Sequence, residues 1–496
     1  MQTVRKTEIA EGYRLIFGYL GYITVLVGGI ILLPLLTLIF YPNEAGNAKY
    51  FAIPGICAIL VGYMLTFLIR GKTKGRLHQN QDAVIVVFSW IIAIVLSAIP
   101  WMLTGQYNFT QAVFETTSGY STTGLSVVAV DSAPHIFLMF RSIMLFFGGV
   151  GLVLVMMSVL SDTYGMRLYN AEGHSDQLSA NLAKSARLII SIYAGYILAG
   201  TLLYVLFGMS VFDALNNSIA ALSTGGFSTH GANIGYYDSV PIEAITIVLM
   251  LLGCTNFLVH LMLIQGKFKA FFQHCEVKFM LFLTAFMMPF FMVLLMNGIA
   301  ENLGDSARIA IFQIVTALTT TGFQTVPGFQ TWSPALLLLM IVLMLIGGGA
   351  GSTAGGMKLY RVYVAMKDVG WSMRDKLTHK RVIRSDSVMR FGKKETVDAT
   401  YRKGVYTFIG LYLIIFLIGS FIYTCCGYSL QDSMFEFASA LGTVGLSIGV
   451  TSYGAAPIIL WTASVGMFIG RLEIYIVFIA MARIGKDIGN RFERNG

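Results

Sequence analysis

The stretch GYSTTGLS, residues 119–126, returns three times further along the chain, as ALSTGGFS (221–228), ALTTTGFQ (317–324) and ALGTVGLS (440–447). Each copy reads small, bulky, small or hydroxyl-bearing, Thr, any residue, Gly, Leu or Phe, polar. The threonine stands two before the glycine every time: Thr122, Thr224, Thr320 and Thr443 precede Gly124, Gly226, Gly322 and Gly445. The glycines lie 102, 96 and 123 residues apart, and nine residues before each sits a polar side chain: Glu115, Asn217, Gln313 and Glu436. A single T-x-G turn says little. Four copies in one setting mark an internal repeat, and a repeat governs the reading of everything around it.

The setting is apolar. The 496 residues are 56% hydrophobic and 12% charged, with a mean hydropathy of +0.72; a soluble chain carries about 25% charged residues. Charge-poor runs cover 15–41, 83–103, 188–207, 242–264, 279–296, 334–354, 405–426 and 457–482, each near or above the roughly 17–25 residues that cross a bilayer. The composition predicts a polytopic helical membrane protein. The first run is too long for a signal-peptide core and has no A-x-A site, so it reads as a retained helix. The net charge of +9 does not point to nucleic acid, because the basic residues gather in alternate loops. They lie at the amino terminus and within 70–76, 167–187, 267–278, 358–403 and 483–494; the four exceptions are Lys49, Arg141, Arg308 and Arg471. This positive-inside pattern places both termini in the cytoplasm, with an even number of spans. The five cysteines, Cys57, Cys254, Cys275, Cys425 and Cys426, form no C-x-x-C and imply neither a disulfide framework nor a zinc site.

Each Thr/Gly turn follows a short semi-polar run and lies between two apolar spans. Non-helical backbone at membrane depth survives only where it is buried in protein or lines water. Glycine permits positive φ, so successive carbonyls can point the same way. Four such segments around one axis would make rings of carbonyl oxygens that replace an ion's hydration shell. The short run before each turn would then be a pore helix, whose carboxyl end favours a cation beyond it. The candidate ion-binding residues are Ser121, Thr122, Thr123 and Gly124; Ser223, Thr224, Gly225 and Gly226; Thr319, Thr320, Thr321 and Gly322; and Gly442, Thr443, Val444 and Gly445.

Two further features interrupt apolar spans. GGGAGSTAGGMKLYR, residues 347–361, holds six glycines in its first ten positions, and each costs a helix roughly 1 kcal/mol relative to alanine. It is not a Walker loop: Met357 separates Gly356 from Lys358, and no Ser or Thr follows the lysine. Either it packs helices closely through small residues, or it is a broken helix whose loop lies in the cavity below the four turns. The second reading makes Gly347, Gly348, Gly349, Gly351, Ser352, Thr353, Gly355, Gly356 and Lys358 a candidate gate, with Lys358 repelling cations when the loop is folded in. Arg471 lies mid-span in GMFIGRLEIYIVF (466–478), where a charge costs roughly 2.5–3.5 kcal/mol. It either pairs with another helix or sits by the ion path as an electrostatic barrier. Arg141, in FLMFRSIMLF (137–146), reads as structural, paired with Glu115 or Glu436. Glu115, Asp213, Asp432 and Glu436, on the short runs, either add negative potential at a mouth or hold backbone around the turns. The seven histidines show no ligand spacing, and His230 falls just outside the second turn. No H-E-x-x-H or G-x-S-x-G occurs, so the chain is not read as an enzyme.

On these residues the chain resembles the Trk/Ktr/HKT superfamily of potassium transporters, and within it the bacterial TrkH/TrkG branch. The four filter glycines, an added amino-terminal hairpin (14–41 and 50–70), the glycine-rich interruption and GMFIGRLEIY (466–475) carry the resemblance, which covers essentially the whole chain. It implies an all-α polytopic fold of four tandem helix–pore-helix–helix repeats around a central pore, with about ten transmembrane helices. The expected divisions are an N-terminal hairpin at 1–78 and pore repeats at 79–178, 179–270 and 271–368, the last with an interrupted second helix. A cytoplasmic linker at 369–400 and a fourth repeat at 401–496 complete the chain. The resemblance further implies potassium (K+) uptake, because all four filter positions are glycine, with gating by the loop at 347–358 and a pore-facing Arg471. It also implies a bacterial inner-membrane location, contact with membrane lipid, a homodimer, and regulation by a separate cytosolic nucleotide-binding subunit, TrkA. No nucleotide site and no nucleic-acid partner are expected for this chain. The competing reading is a secondary transporter for another cation or small solute. That class often carries inverted repeats, whereas the repeats here keep one orientation.

Overall fold

The computed structural model describes residues 2–67, 80–152, 182–378 and 385–492. The basic cluster at 70–76, Arg167 and Arg494 lie outside the described residues. In chain order the elements are α1 (Gln2–Leu32), α2 (Ala48–Thr66), α3 (Gln81–Leu103), α4 (Phe109–Tyr120), α5 (His135–Val150), α6 (Leu182–Leu206), α7 (Val211–Leu222), α8 (Val240–Gly253), α9 (Phe257–Ile264), α10 (Phe268–Gln273), α11 (Cys275–Leu295), α12 (Leu303–Leu318), α13 (Pro334–Ile346), α14 (Leu359–Leu377), β1 (Ser387–Arg390), β2 (Lys393–Thr396), α15 (Ala399–Cys425), α16 (Leu430–Gly442), α17 (Pro457–Arg471) and α18 (Ile474–Phe492). A long helix, a short helix, a Thr/Gly turn and a second apolar helix follow one another four times: α3–α5, α6–α8, α11–α13 and α15–α17. Among the described residues six helices are long and apolar enough to cross a membrane; α8 and α9 pass that test together although bent by 113°, and α5 and α13 are shorter apolar helices.

The chain falls into two compact units. One comprises Met1–Tyr120, Val127–Ile192 and Leu472–Gly496; the other comprises Ser121–Ser126 and Tyr193–Arg471. In the first unit α1 and α2 form the amino-terminal hairpin, and glycines seven apart on each helix set its closeness. A Cβ on Gly28 would stand 2.8 Å from the Gly55 carbonyl oxygen, and one on Gly62 would stand 2.8 Å from that of Gly21. Helices meeting this closely in lipid gain their association from backbone packing. Within α1, Tyr13 donates to Asp487 on α18 at 3.0 Å, and Arg483 donates to the same carboxylate at 3.0 Å.

In the second unit the stretch read as a cytoplasmic linker, 369–400, carries regular structure on both sides of 379–384, which lie outside the described residues. Helix α14 runs on to Leu377, and β1 pairs antiparallel with β2, Ser387 opposite Thr396 and Arg390 opposite Lys393. The two residues between them, Phe391 (φ 49°) and Gly392 (φ 75°), are both left-handed, as a tight hairpin turn requires. Val388 and Val397 pack into a small core with Cys275, Tyr360, Val364 and Val405, which seats the hairpin on α11, α14 and α15. Arg402 ties this region together, donating to Asp368 at 2.8 Å and to Asp386 at 3.1 Å. Burial raises the Asp368 carboxyl, but hydrogen bonds from Arg402 and Tyr406 outweigh it and hold the group below its ordinary value.

Candidate functional site: a ring of four Thr/Gly segments above a glycine-rich loop

The four short helices begin and end alike. Ser210, Asn302 and Ser429 cap α7, α12 and α16, accepting from the backbone N–H of Asp213 (3.1 Å), Asp305 (2.9 Å) and Asp432 (3.1 Å). These aspartates occupy the first turn, where negative charge suits the helix dipole. Asp213 and Asp432 therefore secure helix starts, at the ends away from the turns. His230 lies 3.5 Å from Asp213 and stacks on Tyr236, outside the second turn.

At the other end the chain turns abruptly. Thr122, Thr224, Thr320 and Thr443 have φ of 54°, 53°, 53° and 51°. A β-branched residue is a genuine outlier there, and four at matching positions show one backbone shape built four times, held by its surroundings. Gly124, Gly226, Gly322 and Gly445 follow at φ 94°, 63°, 85° and 97°. The segments close on one another in cyclic order. A Cβ on Gly124 would come closer than 3.0 Å to the Gly225 carbonyl oxygen, on Gly226 to that of Thr321, on Gly322 to that of Val444, and on Gly445 to that of Thr123. Each glycine thus abuts the carbonyl just before the next glycine, and the fourth abuts the first. The four carbonyls so placed, of Thr123, Gly225, Thr321 and Val444, all belong to buried residues.

Opposite quarters match. Ser121 and Thr123 hydroxyls lie 2.7 Å apart, and Thr319 and Thr321 hydroxyls 2.8 Å apart. Ser223/Gly225 and Gly442/Val444 hold no such pair. The hydroxyls of Thr122 and Thr224 donate to the carbonyls of Ser121 and Ser223, each at 2.7 Å. The side chains serve the backbone's shape.

The acidic residues nine before the first and fourth glycines brace the backbone just beyond the turn. Glu436 accepts from Ile448 N–H (2.9 Å), Thr451 N–H (3.0 Å) and the Ser447 hydroxyl (2.8 Å). Glu115 accepts from Val127 N–H at 3.0 Å and from Arg141 Nε at 2.9 Å. Arg141 is 2% exposed and Glu115 1%, so the buried arginine is paired with Glu115. Arg141→Met strands the carboxylate and should cost about 3–5 kcal/mol; adding Glu115→Gln to it should recover much of that loss, and Glu115→Gln alone is the fourth corner. A thermal-unfolding cycle over the four proteins checks this, and additive losses with no coupling would refute it.

One glycine set escaped the sequence reading. In three repeats the second helix presses a glycine against the short helix's end. A Cβ on Gly148, Gly253 or Gly470 would come closer than 3.0 Å to the carbonyl of Tyr120, Leu222 or Leu441. Their signal was spacing: a glycine recurs 24, 27, 25 and 25 residues after the glycines of the four turns, at Gly148, Gly253, Gly347 and Gly470. The second helix also stops soon after that level in the second and fourth repeats, where only the third was expected to break. Helix α8 ends at Gly253 and α9 restarts at Phe257 behind an Asn256 cap, whose side chain accepts from Leu258 N–H at 2.8 Å. Helix α17 ends at Arg471, with Glu473 at φ 58°. Arg471 therefore ends a helix instead of lying inside a continuous span.

The glycine-rich loop after α13 lies against the ring. Gly355 N–H donates to Thr320 Oγ1 at 2.8 Å. Thr353 Oγ1 lies 3.1 Å from Thr224 Oγ1 and 2.9 Å from the Gly253 carbonyl. A Cβ on Gly355 would run into Thr443 Oγ1 and the Gly442 carbonyl. The threonines of three segments thus touch the loop. Arg471 Nη1 donates to the Thr353 carbonyl, and Lys358 Nζ folds back onto that of Ala354. Inside the loop Gly348 N–H donates to Gly355 (3.2 Å) and Ser352 Oγ to Gly349 (2.7 Å), while Gly347, Gly351 and Gly356 take positive φ. Two clamps were not foreseen: Glu276 accepts from Ala350 N–H at 2.8 Å, and Asn256 Nδ2 donates to the Ala350 carbonyl at 2.6 Å. A carboxylate at the start of an apolar span was their only trace in the sequence.

A family model described as TrkH, cation transport protein, matches residues 47–487. The Trk system potassium uptake protein TrkH of Escherichia coli (strain K12) is 28% identical over 481 residues, covering 94% of this chain and 98% of that protein. TrkH of Halomonas elongata is 30% identical over 483 residues, covering 94% and 98%. The crystal structure of the potassium transporter TrkH from Vibrio parahaemolyticus superposes with a TM-score of 0.83 at 26% identity, covering 94% of this chain and 98% of that one.

Proposed function

The chain belongs to the TrkH family of cation transport proteins, and from that premise we propose that the ring of Thr/Gly segments is the potassium filter and the glycine-rich loop its gate. The chain is a multi-pass membrane protein for potassium uptake, not an enzyme, and potassium is its cargo. The observation that carries the filter reading is the closed cyclic packing of Gly124, Gly226, Gly322 and Gly445 on one another's neighbouring carbonyls. Carbonyl oxygens fixed by packing can stand in for the water a potassium ion sheds. Preceding helices that end at the ring add their negative dipole ends.

The loop reading rests on its hydrogen bonds to Thr224 and Thr320 and on the Gly355 approach to Thr443. A loop so placed obstructs the exit from the ring, and Arg471 and Lys358 add positive charge to it. Both termini are cytoplasmic in the inner membrane on this reading, because the basic loops fall on that side. The hairpin and α14, rich in lysine and arginine, would then face a cytosolic regulatory subunit like TrkA, and the working form would be a homodimer.

Flux into liposomes holding the purified chain tests the filter. Rubidium or potassium should enter well above sodium. Equal sodium entry would overturn the assignment.

A further inference from the structure

Glu115 and Glu436 have two counterparts that behave differently. Asn217 and Gln313 hold the same place, nine residues before Gly226 and Gly322, and both are 0% exposed. Neither amide makes a hydrogen bond among the described residues: Asn217 Nδ2 and Oδ1 and Gln313 Nε2 and Oε1 are all without a partner there. Around Gln313 the deficit is shared. The Thr316 hydroxyl, one turn on and on the same face of α12, is in the same condition. So is the buried hydroxyl of Thr325, which stands three residues after Gly322, as Ile448, whose N–H meets Glu436, stands three after Gly445.

We propose that Asn217 and Gln313 are positioning residues for ion selectivity, each binding water behind its filter segment. The second and third quarters are then braced through water, where the first and fourth are braced directly by a carboxylate. This rests on the reading of the ring as a filter. Buried amides with every polar atom unpaired are too costly to be tolerated twice in one site. An amide offers a donor and an acceptor side by side, and water matches both. A cation would use the oxygen alone and leave the NH2 unpaired and facing positive charge. The Thr316 hydroxyl, one turn on from Gln313, is a second unpartnered buried group of the kind with which buried water makes its two to four hydrogen bonds. Since the quarters close in the order one to four, the ring has a directly braced half (fourth and first) and a hydrated half (second and third). The loop's hydrogen bonds to Thr224 and Thr320 fall on the hydrated half.

The test is selectivity. Gln313→Met keeps the side chain's length and removes its polarity, and Asn217→Leu does the same for its site. Each should lower the potassium-to-sodium uptake ratio about tenfold, the worth of one hydrogen-bonded support. Gln313→Glu, which can brace the backbone as Glu436 does, should keep the ratio near the native one. A mere packing role would not make glutamate rescue what methionine loses. A native ratio in folded Gln313→Met and Asn217→Leu proteins overturns the proposal. If those variants do not fold, an experimental structure of the native protein that resolves ordered water decides it: dry amides overturn the proposal, and water bonded to both supports it. Native protein without potassium preference would defeat the filter reading and the selectivity role with it, whereas a selective native protein whose ratio the two variants leave unchanged defeats this proposal alone.

Discussion

Gly445→Ser should lower the potassium-to-sodium ratio by about tenfold or more, the largest single-residue effect expected in this protein. Two independent costs meet at the site. Gly445 has φ 97°, a conformation that costs an L-residue roughly 1–2 kcal/mol. A Cβ there would also collide with the Thr123 carbonyl and approach Gly124 Cα at 3.1 Å. Both obstacles are backbone, which has no rotamer in which to step aside. The fourth segment must therefore withdraw from the first, and the ring opens at that joint. A difference of about 1.4 kcal/mol in the fit of one ion over another is already tenfold. Gly119→Ala is the matched control. Its counterparts are Ala221, Ala317 and Ala440, and the atoms nearest its Cβ would be those of the Met144 side chain, at 3.0 Å or beyond. Uptake of rubidium against sodium, measured on both, checks the prediction. An unchanged ratio in Gly445→Ser would remove the ring from the ion path.

Gly355→Leu should raise basal flux about tenfold, through displacement and without backbone strain. Added atoms at Gly355 meet Thr443 Oγ1 and the Gly442 carbonyl, so the loop has to leave the underside of the fourth segment. Leaving breaks the Gly355–Thr320 and Thr353–Thr224 hydrogen bonds, each worth about 0.5–1.5 kcal/mol. It also takes the Thr353 carbonyl from Arg471. Together these amount to about a tenfold or larger shift in how often the loop is away. Gly370→Leu, in α14 with nothing within 4 Å of its Cβ, should leave flux unchanged. Tracer flux in liposomes without added partner distinguishes the two. A folded Gly355→Leu protein that conducts less than the native one would show that the loop supports the path instead of blocking it.

The sequence alone determined the four-part plan, the membrane setting and the glycines of the four Thr/Gly turns, because these are local or periodic properties. A span needs length and apolarity, and a Thr-x-Gly turn needs a residue that bears positive φ; both are written in consecutive letters. It marked the run 347–356 as poor helix, and no helix forms there. It left Arg141 between Glu115 and Glu436, and it took Asp213 and Asp432 together with the two glutamates. It missed Gly148, Gly253 and Gly470, the clamps Asn256 and Glu276, and the breaks after α8 and α17. Each of these depends on which groups meet through space. Thr353 reaches Leu222 across 131 positions and Arg471 reaches Thr353 across 118, and no periodicity encodes such a meeting. Only the tertiary structure decided that the fourth segment closes on the first and that the loop lies against three threonines. Only it set two braced quarters beside two whose buried amides find no partner among the described residues, because satisfaction of a buried polar group depends on its neighbours in space, not in sequence.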